Sequence, residues 1–127
     1  MAKIHGEFMP EKGLTIFTIE GNASKSDMLQ IITGLEKNQV TRDIIWDASH
    51  GTVEDIDKNE LRKIAQFLKK GHGMREGGRT ALVGPDDLNF GIGRMFQAYT
   101  EADNLAVEYK TFRTMDAAKA WLESPRN

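Results

Sequence analysis

Strand-like and helix-like patterns alternate along this chain almost without a break, and that alternation constrains the fold more than any single motif. Ile4 to Phe8 and Leu14 to Glu20 read as two strands joined by Pro10-Glu11-Lys12-Gly13, a hairpin connection with glycine late in the loop. Asp43 to Asp47, Thr80 to Val83 and Leu105 to Phe112 read as three more. Between and after them, apolar residues recur at helical spacing. Met28, Ile31, Ile32 and Leu35 mark a first helix, with Ser24 or Ser26 as its N-cap. Leu61, Ile64, Ala65 and Leu68 mark a second, opened by Asp57-x-x-Glu60, a capping box with Asp in place of Ser or Thr. Leu88, Ile92, Met95, Phe96 and Tyr99 give the core face expected of a third, which starts after Pro85-Asp86-Asp87. Met115, Ala118 and Leu122 give that of a short fourth.

Alternation within the strands orders them. Leu14 and Ile16 face one way and Phe17 and Ile19 the other, so that strand is apolar on both sides, as are Ile44-Ile45-Trp46 and Ala81-Leu82-Val83. The first strand alternates Ile4 and Phe8 with His5 and Glu7, and the last sets Leu105, Val107 and Tyr109 against Glu108 and Lys110. Alternating strands belong at edges. The expectation is an α/β domain, ββαβαβαβα, with a mostly parallel five-stranded sheet in serial order and an antiparallel first strand. The 127 residues fit one domain, 1–127.

Charge and composition exclude several functions. Seventeen Lys and Arg against nineteen Asp and Glu leave a net charge of −2, a poor match to nucleic acid. Without cysteine there is no disulfide framework, thiolate zinc site or cysteine nucleophile. No signal peptide or transmembrane run stands out, so a cytoplasmic location is expected.

Asp47, Ser49 and His50, in Asp47-Ala48-Ser49-His50-Gly51 after the third strand, form a candidate polar site. The same residues also suit a turn, with Asp47 and Ser49 bonding nearby amides and Gly51 permitting the bend. An enzyme using His50 with Asp47 or Ser49 in acid–base chemistry is the alternative to a non-enzymatic module, but neighbours in sequence rarely converge as catalytic partners do. A calcium loop starting at Asp47 fails, because Thr52 stands where glycine is needed and Lys58 where the bidentate Glu belongs. No metal or cofactor is expected.

Seven of the twelve glycines fall between Gly71 and Gly93. Gly71-x-Gly73 and Gly77-Gly78 suit the end of the second helix and the turn beyond it. Gly91-x-Gly93 lies inside a helix pattern and is no dinucleotide fingerprint. Each such glycine costs about 1 kcal/mol relative to Ala, which suggests close approach of another backbone. Phe90, Gly91, Gly93 and Gln97 are therefore candidate interface residues, with Phe90, Gly93 and Gln97 on a stripe away from the core face, and a homodimer is expected. Glu54, Asp55, Asp57 and Glu60 precede or open the second helix, whereas Lys69, Lys70, Arg75 and Arg79 follow it, as the helix dipole favours. That basic cluster, with Arg94, could also seat an anionic headgroup or an acidic partner. Arg79 and Arg94 are the arginines expected to edge an apolar cavity if a lipid or apolar anion is bound.

The chain resembles the SpoIIAA-like (STAS-type) family, in particular its small bacterial members grouped with STAS and CRAL-TRIO/SEC14 domains. The resemblance rests on Ile45-Trp46-Asp47, Gly78-Arg79-Thr80-Ala81-Leu82-Val83, Phe90-Gly91-Ile92-Gly93-Arg94-Met95-Phe96 and Phe112-Arg113-Thr114-x-x-x-Ala118-x-x-Trp121-Leu122. It implies serial βα units and non-catalytic work: protein interaction or ligand sensing, as in STAS domains, or lipid binding, as in CRAL-TRIO domains. Anti-sigma-factor antagonists of this family carry a phosphorylatable Ser preceded by Asp at the start of the helix after the third strand. Glu54-Asp55-Ile56-Asp57-Lys58-Asn59-Glu60 offers no Ser or Thr after either aspartate, which argues against that switch here.

Overall fold

Leu14 and Ile16 pack on one face of the sheet and Phe17 and Ile19 on the other, so the second strand is covered on both sides. The structure, a computed structural model, describes residues 3–37, 41–53, 55–71, 75 and 77–126, apart from the side chains of 35–37, 70 and 71. Glu54, Gly73 and the side chains of Leu35 and Lys70 thus lie outside the described residues. Within them run strands β1 (Lys3–Met9), β2 (Leu14–Asn22), β3 (Asp43–Thr52), β4 (Arg79–Val83) and β5 (Glu108–Phe112). The helices are α1 (Lys25–Lys37), α2 (Lys58–Gly71), α3 (Asp87–Ala102) and α4 (Met115–Glu123). The sheet order is β1-β2-β3-β4-β5, with β1 antiparallel to β2 and every other pair parallel. The ββαβαβαβα order and the serial sheet are as expected.

Serial order with one hand of crossover puts the three connecting helices on the same face. There α1, α2 and α3 bury Ile32, Ile64 and Phe96 against Phe17, Ile19, Ile44 and Trp46. Among the described residues only α4 covers the opposite face, setting Ala118 and Leu122 on Ile45, Ala81 and Val83. Side chains define the helix starts. Ser24 and Asp27 bond each other's amides at 3.1 and 2.9 Å, which makes Ser24 the N-cap of α1. Asp57 and Glu60 do the same at 2.8 and 3.2 Å. Asp86 caps α3 through the Asn89 amide and Thr114 caps α4 through that of Ala117.

Three expectations are corrected. The third strand does not end at Asp47: past a bulge it pairs again with β2, His50 opposite Glu20 and Gly51 opposite Gly21. A Cβ at Gly51 would come within 2.6 Å of the Ile19 carbonyl oxygen, so this glycine serves close strand approach rather than a turn. The fifth strand starts at Glu108, after a bend in which Asn104 takes φ 52°, although Val107 is buried. Finally, Ile92, Phe96 and Tyr99 of α3 pack in the core as expected, but the buried face is shifted from Leu88 and Met95 toward Asn89 and Thr100. Asn89, Phe96 and Thr100 are its buried residues, whereas Leu88 and Met95 face solvent.

Candidate functional site

Between the sheet and the α1–α2–α3 layer lies a cavity of about 100 Å³. Ile19, Ile44, Trp46, Ile64, Leu68 and Phe96 are among the apolar side chains on its wall. Arg75, Tyr109, Asn89 and Thr111 are the polar ones. An apolar hollow with a few placed polar groups is the usual form of a small-molecule site.

Arg75 is held rigidly. Its Nε donates to the Thr41 carbonyl at 3.2 Å, and one terminal nitrogen reaches the Thr80 hydroxyl at 2.8 Å and the Arg42 and Arg79 carbonyls at 3.2 and 3.4 Å. Burial lowers its guanidinium from the ordinary value, against the pull of neighbouring Tyr109 and then Asp43. Burial likewise pushes the Tyr109 phenol up to about 12, with Arg75 and a hydrogen bond with Thr80 opposing the rise. The pair thus places a positive charge and a protonated hydroxyl in an otherwise apolar interior.

Asn89 fixes another part of the wall. Its amide nitrogen donates to the Gly51 carbonyl at 2.9 Å and to Asp86 at 3.0 Å. Its carbonyl oxygen accepts from the Thr52 hydroxyl at 3.1 Å and the Val53 amide at 3.4 Å. The end of β3 and the start of α3 are thereby joined through one buried side chain.

Of the site and interface residues singled out in the sequence, Gly93 lines this cavity, and the others sit elsewhere. The Asp47 carboxylate accepts from the Ser49 amide at 2.9 Å and its hydroxyl at 2.5 Å, and neither residue lines the cavity. His50 is exposed, and among the described residues no hydrogen bond or ion pair joins its imidazole to Asp47, Ser49 or another side chain. Arg79 is buried and committed to the chain after α4: it bonds the Trp121, Ser124 and Pro125 carbonyls and the Ser124 hydroxyl and stacks 4.9 Å from the Trp121 ring. The basic cluster is therefore not a surface patch, since Arg75 and Arg79 are both interior. Arg94 is exposed, with its guanidinium 6.0 Å from the Phe90 ring centre. Phe90 is half-buried under Arg113, 4.2 Å away.

The supposed outward stripe of α3 turns inward. A Cβ on Gly93 would meet Thr111 Cγ2 at 2.7 Å, and the Gln97 carbonyl oxygen accepts the Thr111 amide and hydroxyl at 2.9 and 3.0 Å. Of the two glycines of α3, only Gly91 faces open space. The sequence offered Arg75 only as part of a basic surface cluster and gave no sign of Tyr109, because period and polarity show which residues are interior, not whether the interior is filled. Asn89 had one usable signal, its position three residues after the capping Asp86.

No family model and no curated protein matches the chain. Solved structures do. One is an uncharacterized protein of the DUF3478 family with a SpoIIAA-like fold from Shewanella loihica PV-4, with TM-score 0.56 and 19% identity over 95% of this chain and 93% of that one. Another is the anti-sigma factor antagonist SpoIIAA in its unphosphorylated form, with TM-score 0.54 and 13% identity over 97% of this chain and 100% of that one. The sheet order, the helix placement and these two likenesses show that the chain has a SpoIIAA-like fold.

Proposed function

We propose that the protein is a non-enzymatic regulatory module that binds a small apolar molecule bearing an acidic or hydrogen-bonding end. The cavity carries the reading: its walls are mostly aliphatic and aromatic, and its polar groups are a fixed cation, a phenol, an amide and the Thr111 hydroxyl. The apolar part of the ligand lies among Ile44, Ile64 and Phe96, with its polar end toward Arg75 and Tyr109. The arginine that edges the apolar space is thus Arg75, in place of Arg79 or Arg94. A regulatory role with a protein partner fits a fold shared with an anti-sigma factor antagonist.

Native mass spectrometry of the protein purified from cells, under mild and then denaturing conditions, tests the reading. The expected result is a small bound mass released on denaturation and absent from Ile92→Phe, which fills the cavity from its wall. A chain that carries nothing, and whose melting temperature neither decanoate nor benzoate raises, overturns it.

A further inference from the structure

The outward side of α3 has no polar residue along its centre. Leu88, Gly91, Met95, Ala98 and Ala102 follow at spacings of three and four, all exposed, Leu88 by 51% and Met95 by 41%. On α2 every exposed residue among those described is polar: Lys58, Asn59, Arg62, Lys63, Gln66 and Lys69. Asp87, Arg94 and Glu101 border the α3 stripe on one flank. Asp87 has a 95% exposed side chain even while paired with Arg113 at 2.9 Å, and Arg94 follows it seven residues on. Gly91 lies between them, and a Cβ there would meet nothing within 4 Å. No neighbour within the chain requires that glycine, although it costs about 1 kcal/mol in a helix.

We infer that this face docks a second copy of the chain, the two α3 helices running antiparallel about a two-fold axis at Gly91. Around such an axis, positions equally far before and after Gly91 oppose each other. Asp87 and Arg94 lie four residues before and three after it, and Leu88 and Met95 three before and four after. On one flank each Asp87 meets Arg94 of the partner subunit, giving two ion pairs. On the other, each Leu88 meets Met95 of the partner subunit. At the centre the two Gly91 residues let the backbones approach. A parallel pairing would set the Asp87–Arg94 flank of each helix against the Leu88–Met95 flank of the other and leave both charges unmatched, so the charge pattern selects the antiparallel arrangement. A helix of 16 residues offers a contact of roughly 24 Å length, and an interface that small goes with weak, concentration-dependent association.

Sedimentation equilibrium from about 1 μM to about 1 mM reads the association across the range of weak affinities. The unaltered chain forms a dimer in this range. Asp87→Arg and Arg94→Asp, each alone, set like charges together and weaken the dimer at least about tenfold. An equal mixture of the two variants joins a doubly basic face to a doubly acidic one and restores it. Circular dichroism checks that each variant is folded, because an acid at the start of α3 favours the helix. If Asp87→Arg does not fold, Gly91→Glu takes its place: it enters open space within the chain and opposes its own copy across the axis, so a monomer is expected. The proposal is overturned by an unaltered chain that stays monomeric throughout, by a folded single variant that dimerises as well as the unaltered chain, or by a mixture that stays monomeric.

Discussion

The Asp43 carboxylate, 6% exposed at the first residue of β3, is held by two terminal nitrogens of Arg126 at 2.8 and 2.5 Å. The same carboxylate accepts the Arg79 amide at 3.0 Å. With the Arg79 guanidinium bonded to the Trp121, Ser124 and Pro125 carbonyls, this ties the segment after α4 to the starts of β3 and β4.

Arg126→Ala leaves that buried carboxylate with one amide, Arg42 at 3.7 Å and the neighbouring Arg75 charge. The expected loss is about 2–3 kcal/mol, as for breaking a buried charge pair that keeps part of its solvation. Arg126→Lys recovers less than half, since an ammonium cannot reproduce the two-pronged contact. Urea denaturation measures both. A loss under about 0.5 kcal/mol would place the contact with ordinary surface ion pairs.

The strand order was legible because serial βα units leave a plain mark: central strands apolar on both sides, edge strands alternating. The extension of β3 was not, because Ser49-His50-Gly51 has the composition of a turn and only the approach of the Ile19 carbonyl to Gly51 shows its role. The orientation of α3 was misread for a related reason. Its core-facing positions include Asn89, Gly93 and Thr100, chosen for hydrogen bonding and close packing, while Leu88 and Met95 are apolar yet exposed. Arg75 and Arg79 looked like surface charge because nothing in the sequence shows the backbone carbonyls that surround them.

Tyr109 gives the fold an alkaline limit. Its folded value is raised to about 12 from an ordinary 10.0, so the native state holds the phenol proton longer than the unfolded chain does. This contribution is fully present below pH 10 and is lost as pH rises toward 12, a decline of about 2–3 kcal/mol in all. Denaturation midpoints across that window should fall for the unaltered chain and fall less for Tyr109→Phe. Equal slopes would mean that the phenol is not the group responsible.

The two glycines of α3 should respond in opposite directions to alanine. At Gly91 the new methyl meets nothing, so at concentrations where the chain is monomeric Gly91→Ala should stabilise by about 1 kcal/mol and raise Tm by about 4 °C. At Gly93 the methyl would press on Thr111 Cγ2 at 2.7 Å, and a β-branched neighbour has little freedom to yield. Overpacking of about 1–3 kcal/mol then outweighs the gain in helix propensity. Two melting curves decide it, and a shared sign would contradict the placement of α3.

Asn89→Ala removes the buried amide that joins β3 to α3. The Gly51 carbonyl, the Thr52 hydroxyl and the Val53 amide all lose a partner, while Asp86 keeps its cap on the residue 89 backbone amide. Leaving such groups unmatched costs about 2–3 kcal/mol. The loss should be local first, because the cavity on one side of this junction offers few atoms to repack against. Hydrogen exchange should therefore quicken at residues 51–53 and in the first turn of α3 well before it does in β4. Uniform acceleration would show that Asn89 supports the whole domain rather than the wall of the cavity.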